Sequence, residues 1–188
     1  PALDKTLSDP GNIKVYPIGI RENGGQYTHS TLWYIMALLK TGNVFKAWNY
    51  YQMINPISRS FSRNEAKFYQ AEPYVISDAI YSNPRYNAHG GWSWYADSAS
   101  WFYRVGVEEI LGIKKYGNNL VLDPKVPKNF GNFEIKYRYN KSQYNINVII
   151  GKEKKLIIDG KIQKNKNKIK LSDKNKSYEV LLYISIDD

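Results

Sequence analysis

The sequence predicts an α+β protein, with helices over residues 1–115 and an all-β segment over 116–188. Three observations carry this reading. Apolar residues in the first part recur at the i, i+3, i+4, i+7 spacing of a helix with one buried face. Beyond Gly117 the period changes to two, the mark of half-buried strands. Trp33, Trp48, Trp92, Trp94 and Trp101 all precede residue 102, so the two parts differ in composition as well as in period.

Leu32, Ile35, Met36 and Leu39 set the first helix. Thr28 or Ser30 is expected to cap its start and Gly42 to end it. A second helix begins at Asn43 and carries Val44, Trp48 and Tyr51 on one face. Asn55-Pro56 stops it, because the residue before proline avoids the helical region. A third helix spans about 98–111, with Asp97 or Ser98 as its cap and Gly112 after its last apolar pair. Between 55 and 97 the periodicity is weak, and long loops with one short helix near 73–80 are expected. Long ordered loops in a compact domain commonly carry function.

In the last part, Phe133, Ile135, Tyr137 and Tyr139 alternate with Glu134, Lys136 and Arg138. Tyr144, Ile146, Val148 and Ile150 alternate in the same way, with Asn140-Lys141 as the turn between the two runs. Asp159-Gly160 joins Leu156–Ile158 to Lys161–Gln163 as a hairpin. Ile169–Leu171 and Tyr178–Ile186 complete an expected antiparallel sandwich.

Composition narrows the function classes. The chain has 188 residues, 43% of them hydrophobic, so it can bury a core. It has no cysteine, which excludes disulfides, zinc–thiolate sites and cysteine nucleophiles. That fits a reducing compartment, and the cytoplasm is the expected location. No apolar run is long enough for a membrane span. The start, Pro1-Ala2-Leu3-Asp4-Lys5, is not a signal peptide, and without an initiator Met it reads as a cut or processed chain. The formal net charge is +10. Residues 1–110 hold 10 Lys+Arg against 9 Asp+Glu, whereas residues 111–188 hold 17 against 8. This charge is mostly Lys alternating with Asn, as in Lys164-Asn165-Lys166-Asn167-Lys168. That pattern suits the solvent side of strands better than a nucleic-acid face, and no nucleic-acid partner is expected.

Two stretches could carry chemistry. Arg21-Glu22-Asn23-Gly24-Gly25-Gln26-Tyr27-Thr28-His29 runs into a helix start. Paired glycines let backbone approach a ligand, and a helix N-terminus offers free N–H groups to an anion. Arg21 and His29 would complete a phosphate or carboxylate site; the same residues would also make an ordinary capped turn with a satisfied His. His89-Gly90-Gly91-Trp92-Ser93-Trp94-Tyr95 offers aromatic faces that either stack on sugar rings or plug a core. A glycosidic reaction needs carboxylates, and Glu22, Glu72, Asp78, Asp97, Glu108 and Glu109 are available. No spacing singles out an acid and nucleophile pair. Nucleotide, metalloprotease and serine-hydrolase motifs are absent.

Taken in order, several segments resemble glycoside hydrolase family 94. They are Arg21–His29, Ala47-Trp48 with Ile54-Asn55-Pro56, Glu72-Pro73-Tyr74-Val75, Gly90–Tyr95, Ser98–Arg104, Gly106-Val107-Glu108 with Ile110-Leu111-Gly112, Asp123-Pro124 and Val126-Pro127-Lys128. The version here is more similar to the cyclic β-1,2-glucan synthase and β-1,2-oligoglucan phosphorylase branch than to cellobiose phosphorylases. The resemblance implies the C-terminal helices of an (α/α)6 barrel over 1–115 and a β-sandwich-like domain over 116–188. It implies inverting phosphorolysis of a β-linked glucan, with inorganic phosphate as co-substrate and no other cofactor or metal. The general-acid Asp is expected upstream, so this piece alone should be inactive and should depend on the rest of the parent barrel. His29 matches the phosphate-contacting His. A second phosphate contact, usually a Thr-Gly pair, falls on Ala96 and Asp97, where a lost hydroxyl and an added carboxylate weaken anion binding. Arg21, Glu22, Gln26, Glu72, Tyr74, Trp92, Trp94 and Tyr95 fall at sugar-contacting positions. A degenerate or non-catalytic carbohydrate-binding member is the alternative. Exposed apolar helix faces on an incomplete barrel would favour self-association into a homo-oligomer.

Overall fold

The computed structural model describes residues 2–186. The chain divides into two compact units, Pro1–Val105 and Gly106–Asp188.

The first unit is mainly helical. Helix α1, Thr28–Lys40, buries Leu32, Ile35, Leu38 and Leu39 along one stripe. Neither Thr28 nor Ser30 caps it. The cap position is Tyr27, and the Ser30 and Thr31 hydroxyls donate back to the Tyr27 carbonyl. Thr28 already lies inside the first turn, so its hydroxyl cannot reach forward to free N–H groups. Gly42 ends the helix as expected, in the left-handed region at φ 82°, with the Asn43 N–H donating to the Leu38 carbonyl at 2.8 Å.

Helix α2, Val44–Ile54, buries Ala47, Tyr51 and Ile54. Asn55-Pro56 stops it and at once starts α3, Pro56–Arg59, where the Asn55 side chain accepts from the Ile57 N–H. Helix α4, Arg63–Tyr69, was not expected. Ser62 and Glu65 form a reciprocal capping box at its start, and Gln70 ends it with φ 53°.

No helix forms near 73–80. Ser77–Ile80 is instead a strand, every residue of which is buried. It is the centre of a three-stranded antiparallel sheet: β1 (Gln26–Tyr27), β2 (Ser77–Ile80) and β3 (Gly90–Ser93). The β-branched and apolar run Val75-Ile76 leading to Ala79-Ile80 suits a strand buried on both faces, which shows no alternation. Helix α5, Ala96–Arg104, starts earlier than expected, with Tyr95 rather than Asp97 or Ser98 at its cap. It runs on as a π-helical turn, Val105–Ile110.

The second unit is built on strands, with the π-helical turn at its start and one short 3-10 turn, Lys128–Phe130. Strands β4 (Ile113–Tyr116) and β5 (Asn119–Leu122) form a hairpin, so the strand pattern begins before Gly117, which is the turn residue at φ 56°. Strand β10 (Lys168–Lys170) adds to β5. The larger sheet has the order β6–β7–β11–β8–β9, from Phe133–Tyr139, Ser142–Gly151, Ser177–Ser185, Lys155–Ile158 and Lys161–Ile162. The expected hairpins at Asn140-Lys141 and Asp159-Gly160 are both present. Asp159 and Gly160 have φ of 48° and 76°, the positive pair that a two-residue hairpin turn needs. The sheet is not wholly antiparallel. β7 and β11 pair in parallel from Gln143↔Ser177 to Gly151↔Ser185, because the chain between them makes a crossover through β8, β9 and β10. Tyr144, Ile146, Val148, Leu156, Val180 and Leu182 bury one face of this sheet.

Candidate functional site

The Arg21–His29 loop is pinned from within. Asn23 is buried. Its Oδ1 accepts from the Leu3 N–H and its Nδ2 donates to the Tyr16 carbonyl, each at 2.7 Å. Ile20 and Asn23 close the loop as a short β-bridge. A Cβ on Gly25 would stand 2.8 Å from both the N and O of Arg21, so only glycine fits there. Gln26 ties the loop to its neighbours. Its Oε1 accepts from the Ile80 N–H at 3.2 Å, and its Nε2 donates to Thr31 Oγ1 at 2.8 Å. Both ends of this amide are occupied within the protein.

Arg21 sits in the left-handed region, φ 49°. Its guanidinium carbon lies 4.2 Å from the centre of the Trp92 ring and 5.1 Å from that of Tyr16. Its Nε is 3.4 Å from Asp78 Oδ2 and 3.5 Å from Glu22 Oε2. The Asp78 side chain is wholly buried, and neither of its oxygens has a hydrogen-bond partner. Burial pushes the Asp78 carboxyl above the usual carboxylate range. The Arg21 charge pulls it part of the way back, Glu22 pushes it up further, and His29 pulls it down. The same charges reach Tyr27, whose hydroxyl is pushed up by burial and then by Asp78.

His29 lies in the first turn of α1. Trp33 meets its ring edge-on at 4.6 Å, and Trp101 lies 5.8 Å away. His29 Nε2 is buried and has no hydrogen-bond partner. Unpartnered buried polar atoms are uncommon and costly, and those of His29, Arg21 and Asp78 fall in one part of the fold.

A second group is aromatic. Trp94 Nε1 donates to Glu72 Oε1 at 3.0 Å, and this bond holds the Glu72 carboxyl below its ordinary range. Tyr74 meets Trp94 edge-on at 6.2 Å. Tyr74 and Trp94 are 74% and 68% exposed, so they are not core plugs. Trp92 and Trp94 both have positive φ, 54° and 66°, a strained state for bulky residues. Gly91 lies against the Tyr81 ring with no room for a side chain. The strained backbone beyond it carries Trp92 to Arg21 and Trp94 to Glu72. The Tyr95 N–H donates to the Ile76 carbonyl at 3.4 Å. Ala96 and Asp97 occupy the exposed first turn of α5.

The structure therefore gathers Glu22, Asp78 and Trp92 around Arg21, and Glu72, Tyr74 and Trp94 around a separate hydrogen bond. Among the described residues, no cluster of three or more His, Asp or Glu could hold a metal. Sequence reasoning named Asp78 only as one available carboxylate. Its signal was a lone Asp in the apolar run from Val75 to Ile80. It also missed Trp33, although His29 and Trp33 are four apart on one helix face.

The model of the glycosyl hydrolase 94 superfamily, catalytic domain, matches residues 1–112. Over 148 residues, 79% of this chain, it is 43% identical to cyclic beta-(1,2)-glucan synthase NdvB of Rhizobium meliloti. It is 27% identical over 151 residues, 79% of the chain, to N,N'-diacetylchitobiose phosphorylase of Vibrio furnissii. It is 26% identical over 161 residues, 78% of the chain, to 1,2-beta-oligoglucan phosphorylase of Listeria innocua. The matched stretch is 5%, 18% and 15% of these relatives' own lengths. The chain belongs to the glycosyl hydrolase 94 family.

Proposed function

We propose that this chain is the C-terminal piece of an enzyme that cleaves a β-linked glucan by inverting phosphorolysis. It would supply the last helices of an (α/α)6 barrel over 1–115 and a β-sandwich-like domain over 116–188. The observation that carries the reading is His29 Nε2: a buried, unpartnered nitrogen at the N-terminal turn of a 13-residue helix, within the family match. Free N–H groups and the positive dipole end of α1 favour an anion there.

In this reading phosphate sits at His29 and attacks the anomeric carbon. An upstream carboxylic acid protonates the leaving oxygen, and phosphate takes the place of the water and base of an inverting hydrolase. The new bond joins a phosphate oxygen to the anomeric carbon, with inversion, so a β-glucoside yields an α-sugar phosphate. Arg21, Glu22, Glu72, Tyr74, Trp92, Trp94 and Tyr95 would line the sugar path. Gln26 would act by fixing the loop, because its amide is already engaged. Ala96 and Asp97 would stand across the phosphate site and weaken it, since Asp97 adds a negative charge. No helix among the described residues is long and apolar enough to cross a membrane. A reducing, cytoplasmic setting rests on the absence of cysteine.

The test joins this chain to its upstream barrel segment and measures sugar phosphate release from β-1,2-oligoglucan with phosphate. The reading predicts release by the joined protein, none from this chain alone, and a raised phosphate KM in His29→Ala. Turnover by this chain alone would refute it. The exposed Tyr74 and Trp94 pair favours a second reading, a non-catalytic glucan-binding module. That reading predicts saturable glucan binding without turnover, abolished by Trp92→Ala or Trp94→Ala.

A further inference from the structure

Arg21 has the charge to compete with His29 for an anion, yet its surroundings oppose that use. Its side chain is only 12% exposed, and its guanidinium carbon lies over the Trp92 ring. Its Nε faces two carboxylates, Asp78 at 3.4 Å and Glu22 at 3.5 Å. Asp78 projects from the central strand of a sheet and is wholly buried. Asp78 thus meets Arg21 away from solvent, whereas Glu22 is one-third exposed.

We infer that Asp78 is the positioning and specificity-determining residue of this site: it holds Arg21 over the Trp92 ring and offsets its charge, so that Arg21 serves neutral sugar hydroxyls and leaves the anion to His29. A buried carboxylate with both oxygens unbonded is otherwise a cost without a return. Its place here matches the chemistry of a neutral ring on one side and a phosphate on the other. With its two carboxylate neighbours ionised, the group of Arg21, Asp78 and Glu22 has no net positive charge to offer an anion. It still presents N–H donors, and the half-exposed Trp92 beside it presents aromatic surface, a combination suited to a polyhydroxyl ring. The inference rests on the proposed phosphate contact at His29, but its decisive readout is Arg21 itself.

The test follows the Nε–Hε signal of Arg21 and the ring signals of His29 by NMR in the complete chain during titration with inorganic phosphate. In the native chain, phosphate should move His29 and leave Arg21 in place. In Asp78→Asn the Arg21 signal should shift before any addition. It should then respond to phosphate, and the phosphate half-saturation read at His29 should fall roughly fivefold, the effect of one unit charge about 4 Å away at the dielectric constant of water. A substitution that merely damaged the fold would weaken phosphate binding, not strengthen it. If Arg21 responds to phosphate in the native chain, or its signal is unchanged in Asp78→Asn, the inference is overturned. The native titration decides this even if the variant does not fold. Silence of His29 in both proteins, with Arg21 behaving as described, would remove the phosphate contact at His29 and leave the role of Asp78 standing.

Discussion

The two units differ in where they place strain. In Pro1–Val105, left-handed backbone occurs at Arg21, Gln70, Ala88, Trp92 and Trp94, whereas in Gly106–Asp188 the non-glycine cases are Asn140, Asp159 and Asn175. Asn and Asp tolerate that region, and in the β unit they sit where turns call for it. Arg and Trp do not, and they hold it only because surrounding contacts impose it. Among the described residues, the buried side-chain atoms without hydrogen-bond partners also fall in the first unit, at Arg21, His29, Ser60, Asp78 and Ser98. Among its described residues the β unit leaves no buried side-chain polar atom unpartnered, and it buries Ile146, Val148, Leu156, Val180 and Leu182. The helical unit carries unsatisfied groups beside strained aromatics, the pattern expected of a site that waits for a ligand.

Core truncation probes the well-packed side of this contrast and has the largest expected effect. Leu182 is 1% exposed, on the strand between β7 and β8. Leu182→Ala should cost about 2–5 kcal/mol in chemical unfolding, through lost burial and an unfilled cavity. A cost below about 1 kcal/mol would mean that the β unit is loosely packed and the contrast is wrong.

Backbone relief measures the strain directly. Ala88 has φ 65° and Asn140 φ 50°. Ala88→Gly should stabilise by about 1 kcal/mol, because it removes the left-handed penalty of a side chain with no local compensation. Asn140→Gly should change stability by only a few tenths, roughly, since Asn bears that conformation well. Equal gains at the two positions would erase the distinction between forced and chosen turns.

The buried carboxylate gives a pH signature. The Asp78 carboxyl is raised by burial, more than Arg21 lowers it. Below the ordinary carboxylate range both folded and unfolded states hold the proton, and Asp78 contributes nothing. As pH rises through that range the unfolded carboxyl ionises first, so the native fold loses stability until the folded group ionises too. Asp78→Asn should remove this loss, and its stability should improve relative to native as pH rises through and above the ordinary carboxylate range. Unfolding midpoints across that range check it, and parallel pH curves would contradict it.

The smallest effect belongs to the surface of the β unit. Lys176 pairs with Asp159 at 2.5 Å, both exposed to solvent. The ion pair holds the Asp159 carboxyl below its ordinary value. Lys176→Ala should change stability little, and the change should fade in high salt.

Much of this was legible in the sequence because two rules act locally. Alternation placed β6 and β7, and Asp159-Gly160 placed the hairpin between β8 and β9. The parallel β7–β11 pairing was not legible, because pairing direction is set by a crossover rather than by residue pattern. The strand at Ser77–Ile80 falls where the sequence pattern predicts loops and one short helix near 73–80, since a strand buried on both faces shows no alternation. Helix α4 left a readable signal, the Ser62–Glu65 capping box, that weak apolar periodicity obscured. The site was half legible. The glycines, Arg21 and His29 announced the loop, whereas the closure of Asp78 onto Arg21 depends on β1 pairing with β2 across more than fifty residues.

The central claim of the proposed function is that His29 is an anion contact. The chain has only two histidines, so a titration of selectively labelled histidine ring nitrogens with inorganic phosphate reads it without ambiguity, with His89 as the internal control. The account predicts a saturable shift of the His29 signal, lost in His29→Ala, with His89 unmoved. Equal, non-saturating movement of both signals, or no movement of His29, would contradict it.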